Sequence, residues 1–145
     1  MTYDPMANLK EFHDKFHQFG IHRNMVPIGV SDVDRRSRLI TEEFLEVDEE
    51  LLSLSVDMEM HSGISDYTPD HSKLAKELAD LLYVVYGTAE EFGIPLEAVF
   101  AAVHESNMSK VWDDGKVHYN EFGKVIKPPT YIAPDIKAVL DAINT

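Results

Sequence analysis

The chain has 145 residues, 44% hydrophobic and 27% charged, with 7 Gly and 7 Pro, a size and composition suited to one compact domain spanning 1–145. A formal net charge of −13 excludes the basic groove that nucleic acids require, and no stretch reaches the roughly 20 apolar residues of a membrane span. Cysteine is absent, which removes disulfides and thiolate metal sites, and the start MTYDPMANLKEF lacks the basic and apolar runs of a signal peptide. A cytoplasmic location is the expectation.

A first helix is expected over 6–19, with Leu9, Phe12, Phe16 and Phe19 at helical spacing and Gly20 as its stop. The stretch 20–30 reads as a loop. A second helix should start with Ser31 or Asp32 as N-cap and run to about residue 60, on a stripe of Ile40, Phe44, Val47, Leu51 and Leu54. Residues 61–68 connect it to a third helix, capped by Thr68 with Pro69 in the first turn and ending before Gly93. Its middle, LADLLYVVYGTA, is apolar nearly all round, so this helix should be the most buried. A fourth helix is expected from Pro95 to about Val111. A loop or short hairpin follows in 113–130, where Gly115, Gly123, Pro128 and Pro129 fall, and a short helix opens at Pro134. The fold class is all-α, a four- to five-helix bundle.

The charge is unevenly placed. Eight acids and no basic residue fall in 42–59, whereas 107–127 holds Lys110, Lys116, Lys124 and Lys127. Within the second helix stands Glu42-Glu43-x-x-Glu46, and within the third Glu77-x-x-Asp80. At about 100° per residue, each pair three apart lies at the edge of a core-facing stripe. Packing those stripes together gathers four carboxylates on one seam, where like charges repel and drive their pKa values up. A hard divalent cation with oxygen ligands resolves that conflict.

Charge runs on helices are usually solvated faces, and Asp48, Glu49, Glu59 and Glu90 are read that way. Asp80 differs, because Leu78, Ala79, Leu81, Leu82, Val84 and Val85 surround it, and a carboxylate in such company calls for a partner. His13 and His17, four apart, are zinc ligands only with a third residue that does not present itself; they are read as surface or pocket-lining. Phe12, Phe16, Tyr83 and Tyr86 are read mainly as core, with stacking on a base as the other use.

At the two acidic motifs the sequence resembles the all-α nucleoside triphosphate pyrophosphohydrolases, the superfamily of MazG, dimeric dUTPases and phosphoribosyl-ATP pyrophosphohydrolase. KELADLLYVVYG (76–87), HESNMSK (104–110) and GKVIKPPTYIAPDI (123–136) carry the likeness further. The resemblance implies a magnesium site, with manganese as the other candidate, held by Glu43, Glu46, Glu77 and Asp80. It implies that Glu42 orients or deprotonates an attacking water, and that Asn107 and Lys110, with Lys124 and Lys127, contact substrate. Thirty residues separate Glu46 from Glu77, more than in compact members, which bears on the shape of the pocket.

The reaction implied is hydrolysis of a nucleoside triphosphate, dUTP or a non-standard nucleotide among them, to monophosphate and pyrophosphate. No G-x-x-x-x-G-K-[ST] loop occurs, so the triphosphate must rest on metal and lysines. Phosphoribosyl-ATP is the alternative substrate, and a non-catalytic helical interaction module the alternative class. A di-iron bundle is disfavoured, since no histidine follows a Glu by three residues. The apolar third helix implies more hydrophobic face than one bundle covers, hence a homodimer or dimer of dimers.

Overall fold

The computed structural model describes residues 4–16 and 28–143 and is all-α apart from one small hairpin. Five helices run in chain order: α1 (Pro5–Phe16), α2 (Val30–Met60), α3 (Ser72–Glu91), α4 (Leu96–Met108) and α5 (Ile136–Ile143). Between α4 and α5, β1 (His118–Tyr119) pairs antiparallel with β2 (Val125–Ile126), placing His118 opposite Ile126. The chain divides into two compact units, Met1–Gly93 and Ile94–Thr145. The expected Phe19, Gly20 and His17, with most of the loop after them, lie outside the described residues.

Helix starts follow side-chain acceptors more closely than the sequence pattern suggested. Asp4 caps α1, its carboxylate accepting the Ala7 N–H at 2.9 Å, with Pro5 in the first turn where a missing N–H costs nothing. The N-cap of α2 is Gly29 rather than Ser31 or Asp32, because Asp32 reaches back from the first turn to accept the Gly29 N–H at 2.9 Å. Helix α3 begins at Ser72, four residues after the expected Thr68, because the Asp70 carboxylate takes the Ser72 N–H at 2.9 Å. In the α2–α3 connection, His61 stacks on Tyr67 with ring centroids 4.2 Å apart.

In the first unit, α1 and α2 both pack on α3. Leu9, Val47 and Ala89 are the buried apolar side chains among the described residues. As expected, α3 is the most enclosed of the helices, with Gly87, Ala89 and Glu90 buried at its C-terminal end, although Leu78, Leu82 and Tyr83 are exposed. Likewise the α2 stripe is wider than α3 covers. Val47 is buried and Ile40 and Leu54 half-buried, but Phe44 is 55% and Leu51 48% exposed.

The buried end of α3 is polar. His13 Nδ1 lies 2.5 Å from Glu90 Oε2, both side chains almost fully enclosed. Glu91 pairs with Arg35 and with Arg36. Gly87 leaves the space they need, since a Cβ there would stand 3.1 Å from Arg36 Nη1 and 3.4 Å from Leu9 Cδ1. In the second unit, α4 packs against α5, and Trp112 donates through its indole N–H to the Ile126 carbonyl at 3.1 Å.

Candidate metal centre

Helix α2 carries Glu42, Glu43 and Glu46 within about one turn, and α3 carries Glu77 and Asp80 at the same spacing. The packing of α2 on α3 brings carboxylate oxygens of Glu43, Glu77 and Asp80 within 4.8 Å of one another. Glu46 stands close to Glu77, and its interaction with that carboxylate raises the Glu46 pKa. Burial raises the Glu43 pKa, and the charges of Glu46, Asp80 and Glu77 add to it.

One cation answers this charge. Lys76 Nζ lies 2.8 Å from Asp80 Oδ2 and 2.9 Å from Glu77 Oε2, and those hydrogen bonds push its own pKa up. Four carboxylates against one exposed ammonium leave a surplus of negative charge on oxygen donors alone. That donor set suits a hard divalent cation, which accepts several carboxylates while keeping waters for exchange.

Two details differ from the sequence reading. Asp80 is not buried: its side chain is 43% exposed, and its partner is Lys76, one turn earlier on the same helix. Of the apolar residues around it in sequence, Leu78, Leu82 and Val85 lie on other sides of α3 by helical spacing. Glu42 is exposed and stands outside the group of three. The remaining candidates belong to the second unit. Lys110 Nζ donates to Asn107 Oδ1 at 2.7 Å, Lys127 Nζ stands 4.2 Å from the centre of the Tyr131 ring, and the Lys124 N–H binds Asn120 Oδ1 in the hairpin turn.

Two cavities lie within the first unit. One of about 180 Å³ is lined by Glu50, Leu54, Asp57, Asp70 and Lys73. The other, about 250 Å³ and mostly apolar, is lined by Asn8, Leu9, Ala79, Leu82, Tyr83 and Tyr86. The second cavity is lined by α1 and α3, whereas the carboxylates gather where α2 packs on α3.

Sequence reasoning missed Lys76, although Lys76 and Asp80 stand at the i,i+4 spacing that pairs charges on a helix. It also placed Glu90 on a solvated face and read His13 as surface or pocket-lining, whereas the two form a buried pair. The readable signal was Gly87 inside an otherwise helix-favouring run, a mark of close approach.

Among the described residues no helix is long and apolar enough to cross a membrane. No curated protein matches the chain. The family model for phosphoribosyl-ATP pyrophosphohydrolase matches residues 9–107, which takes in both acidic motifs and runs to Asn107. With the match extending over more than half of its length, the chain belongs to the phosphoribosyl-ATP pyrophosphohydrolase family of nucleotide pyrophosphohydrolases.

Proposed function

We propose that the chain hydrolyses a nucleoside triphosphate, dUTP or a non-standard nucleotide, to its monophosphate and pyrophosphate, as a nucleotide-pool housecleaning enzyme. The observation that carries this reading is the convergence of Glu43, Glu77 and Asp80, with Glu46 close to Glu77. These four side chains would hold magnesium or manganese. The bound ion would supply positive charge that offsets the carboxylates and attracts the phosphate oxygens.

The chain's own residues do the rest. Glu42, beside the cluster and open to solvent, orients the attacking water and accepts its proton as the water oxygen bonds to phosphorus and pyrophosphate leaves. Asn107 and Lys110, with Lys124 and Lys127, contact the substrate. The cavity of about 250 Å³ receives the base, with Tyr83 and Tyr86 as its aromatic wall and the Asn8 amide as its polar group. The whole chain acts as one catalytic domain.

Phosphoribosyl-ATP is the second reading, and the family match supports it equally. A panel of canonical and deoxy nucleoside triphosphates, dUTP and phosphoribosyl-ATP, each assayed for pyrophosphate with magnesium and with EDTA, separates the two. Release from a nucleoside triphosphate alone supports the first, and release from phosphoribosyl-ATP alone replaces it with the second. No release from any of them removes the catalytic reading.

A homodimer, or a dimer of dimers, belongs to the same proposal. Phe44, Leu51 and Met58 recur at seven-residue intervals along α2, each about half exposed, beside the flank that α3 covers. A continuous apolar seam on a 31-residue helix suits a second copy of the same helix.

A further inference from the structure

Among the described residues, the cation set against the carboxylate cluster is Lys76, and its contacts are specific. Its Nζ lies 2.8 Å from Asp80 Oδ2 and donates to Glu77 Oε2 at 2.9 Å and to Glu77 Oε1 at 3.2 Å. An ammonium has three N–H groups, and three oxygens of two carboxylates stand within their reach. The same two carboxylates converge with that of Glu43. Lys76 therefore holds the oxygens that the cluster would offer to a metal.

Its hold is weak by construction. Lys76 and Glu77 are neighbours in α3, and side chains one apart on a helix diverge, so the lysine stem folds sideways to meet both acids. Lys before Asp at a spacing of four is the less favourable order of such a pair. The Lys76 side chain is 63% exposed, against 43% for Asp80 and 13% for Glu77, so the ammonium covers the cluster from the solvent side. An exposed pair of this kind shifts an equilibrium by about fivefold at most.

A divalent ion and this ammonium are incompatible on the same oxygens. Magnesium binds carboxylate oxygen at about 2.1 Å, which would put it within about 5 Å of Nζ where Nζ now stands. Cations so close repel, and they compete for the same lone pairs. Glu77 is the enclosed member and cannot turn to a second partner freely, whereas the lysine has a flexible four-carbon stem and open solvent beside it. Of the two groups, the lysine is the one free to move.

We propose that Lys76 is a tethered counter-cation: it holds Glu77 and Asp80 while the site lacks a divalent ion, and leaves both when the ion binds. The proposal rests on the metal reading of the cluster. The tether keeps the acids assembled without metal, so the site need not reform on binding. It also sets the metal affinity below what the carboxylates alone would give.

The test is a magnesium titration of the full chain at constant ionic strength, followed by calorimetry and by NMR of lysine labelled at Cε. The Lys76 signal is assigned by its loss in Lys76→Gln. The doubly substituted Glu77→Gln, Asp80→Asn chain in EDTA supplies the position of the released side chain. Magnesium is expected to move the Lys76 signal of the unaltered chain to that position, with the midpoint seen by calorimetry. Lys76→Gln is expected to bind magnesium about fivefold more tightly, the worth of a contact that no longer has to break. Saturable heat with an unmoved Lys76 signal overturns the displacement and leaves the metal site standing. Equal or weaker magnesium binding in Lys76→Gln overturns the competition. No heat and no change of signal removes the metal site itself, and the tether with it.

Discussion

Replacing Glu77 by Gln should stabilise the chain without metal and abolish its stabilisation by metal. Glu77 is the member shared by the whole cluster: a carboxylate oxygen lies within 4.8 Å of ones from Glu43 and Asp80, and Glu46 stands close to it. Two like charges at that separation repel by about 1 kcal/mol in water and by about 3.5 kcal/mol at an effective dielectric of 20. Lys76, 2.9 Å from Glu77, offsets part of this, so a net gain of about 1 kcal/mol is expected from the neutral amide. In a chain of this length that raises Tm by about 2–4 °C in EDTA. In magnesium the order reverses. At 100 times its dissociation constant a bound ion stabilises the unaltered chain by about 2.7 kcal/mol, whereas the variant gains little. The assay is thermal unfolding of both chains at one protein concentration, across a magnesium series. An equal magnesium-dependent rise in Tm for both would remove Glu77 from the metal site, and a lower Tm for the variant in EDTA would refute the repulsion argument.

Glu91→Ala should cost about 3 kcal/mol, measured by urea unfolding, because it strips one enclosed carboxylate from two guanidinium groups; a loss under about 1 kcal/mol would count against it. Ser106→Ala should move the ionisation of Tyr131 to higher pH, since the hydrogen bond that most lowers its pKa is gone. Ultraviolet titration, with Tyr131→Phe subtracted to isolate this phenol, reads the shift, and an unchanged midpoint sinks the assignment. Leu51→Glu, in the middle of the exposed α2 seam, should convert a dimeric mass to a monomeric one in light scattering. A monomeric mass for the unaltered chain would dismiss the seam as an interface.

The helices were legible because their apolar residues recur at helical spacing, and the hairpin because Gly115 and Gly123, both at positive φ, and two prolines punctuate 113–130. Helix starts were less so. Ser31 and Thr68 have the right chemistry for caps, but Asp32 and Asp70 outcompete them with charged acceptors nearby. The paired acidic motifs could be read as one site because a spacing of three fixes their face on each helix, and packing supplies the rest. Burial read through in rank but not in extent: apolar density along α3 marked it as the most enclosed helix, which it is, yet Leu78 and Leu82 stay exposed while Gly87 and Ala89 are enclosed.

Helix α3 carries two acidic pairs with opposite fates, and the difference lies in the cations opposite them rather than in the acids. Glu91 meets the guanidinium groups of Arg35 and Arg36, and Glu90 meets His13, so each of these enclosed acids has a cation or an imidazole opposite it. Glu77 and Asp80, about 20 Å earlier along the axis, meet Glu43 and Glu46 instead, with Lys76 the cation paired with them among the described residues. The first arrangement sets basic groups against its acids within the folded chain. The second is left short of positive charge by the fold itself. Its neutralisation must come from protons, as the raised pKa values of Glu43 and Glu46 record, or from a cation that displaces them. Substitutions should therefore separate: Glu91→Ala lowers stability at every magnesium concentration, while Glu77→Gln changes how stability depends on magnesium.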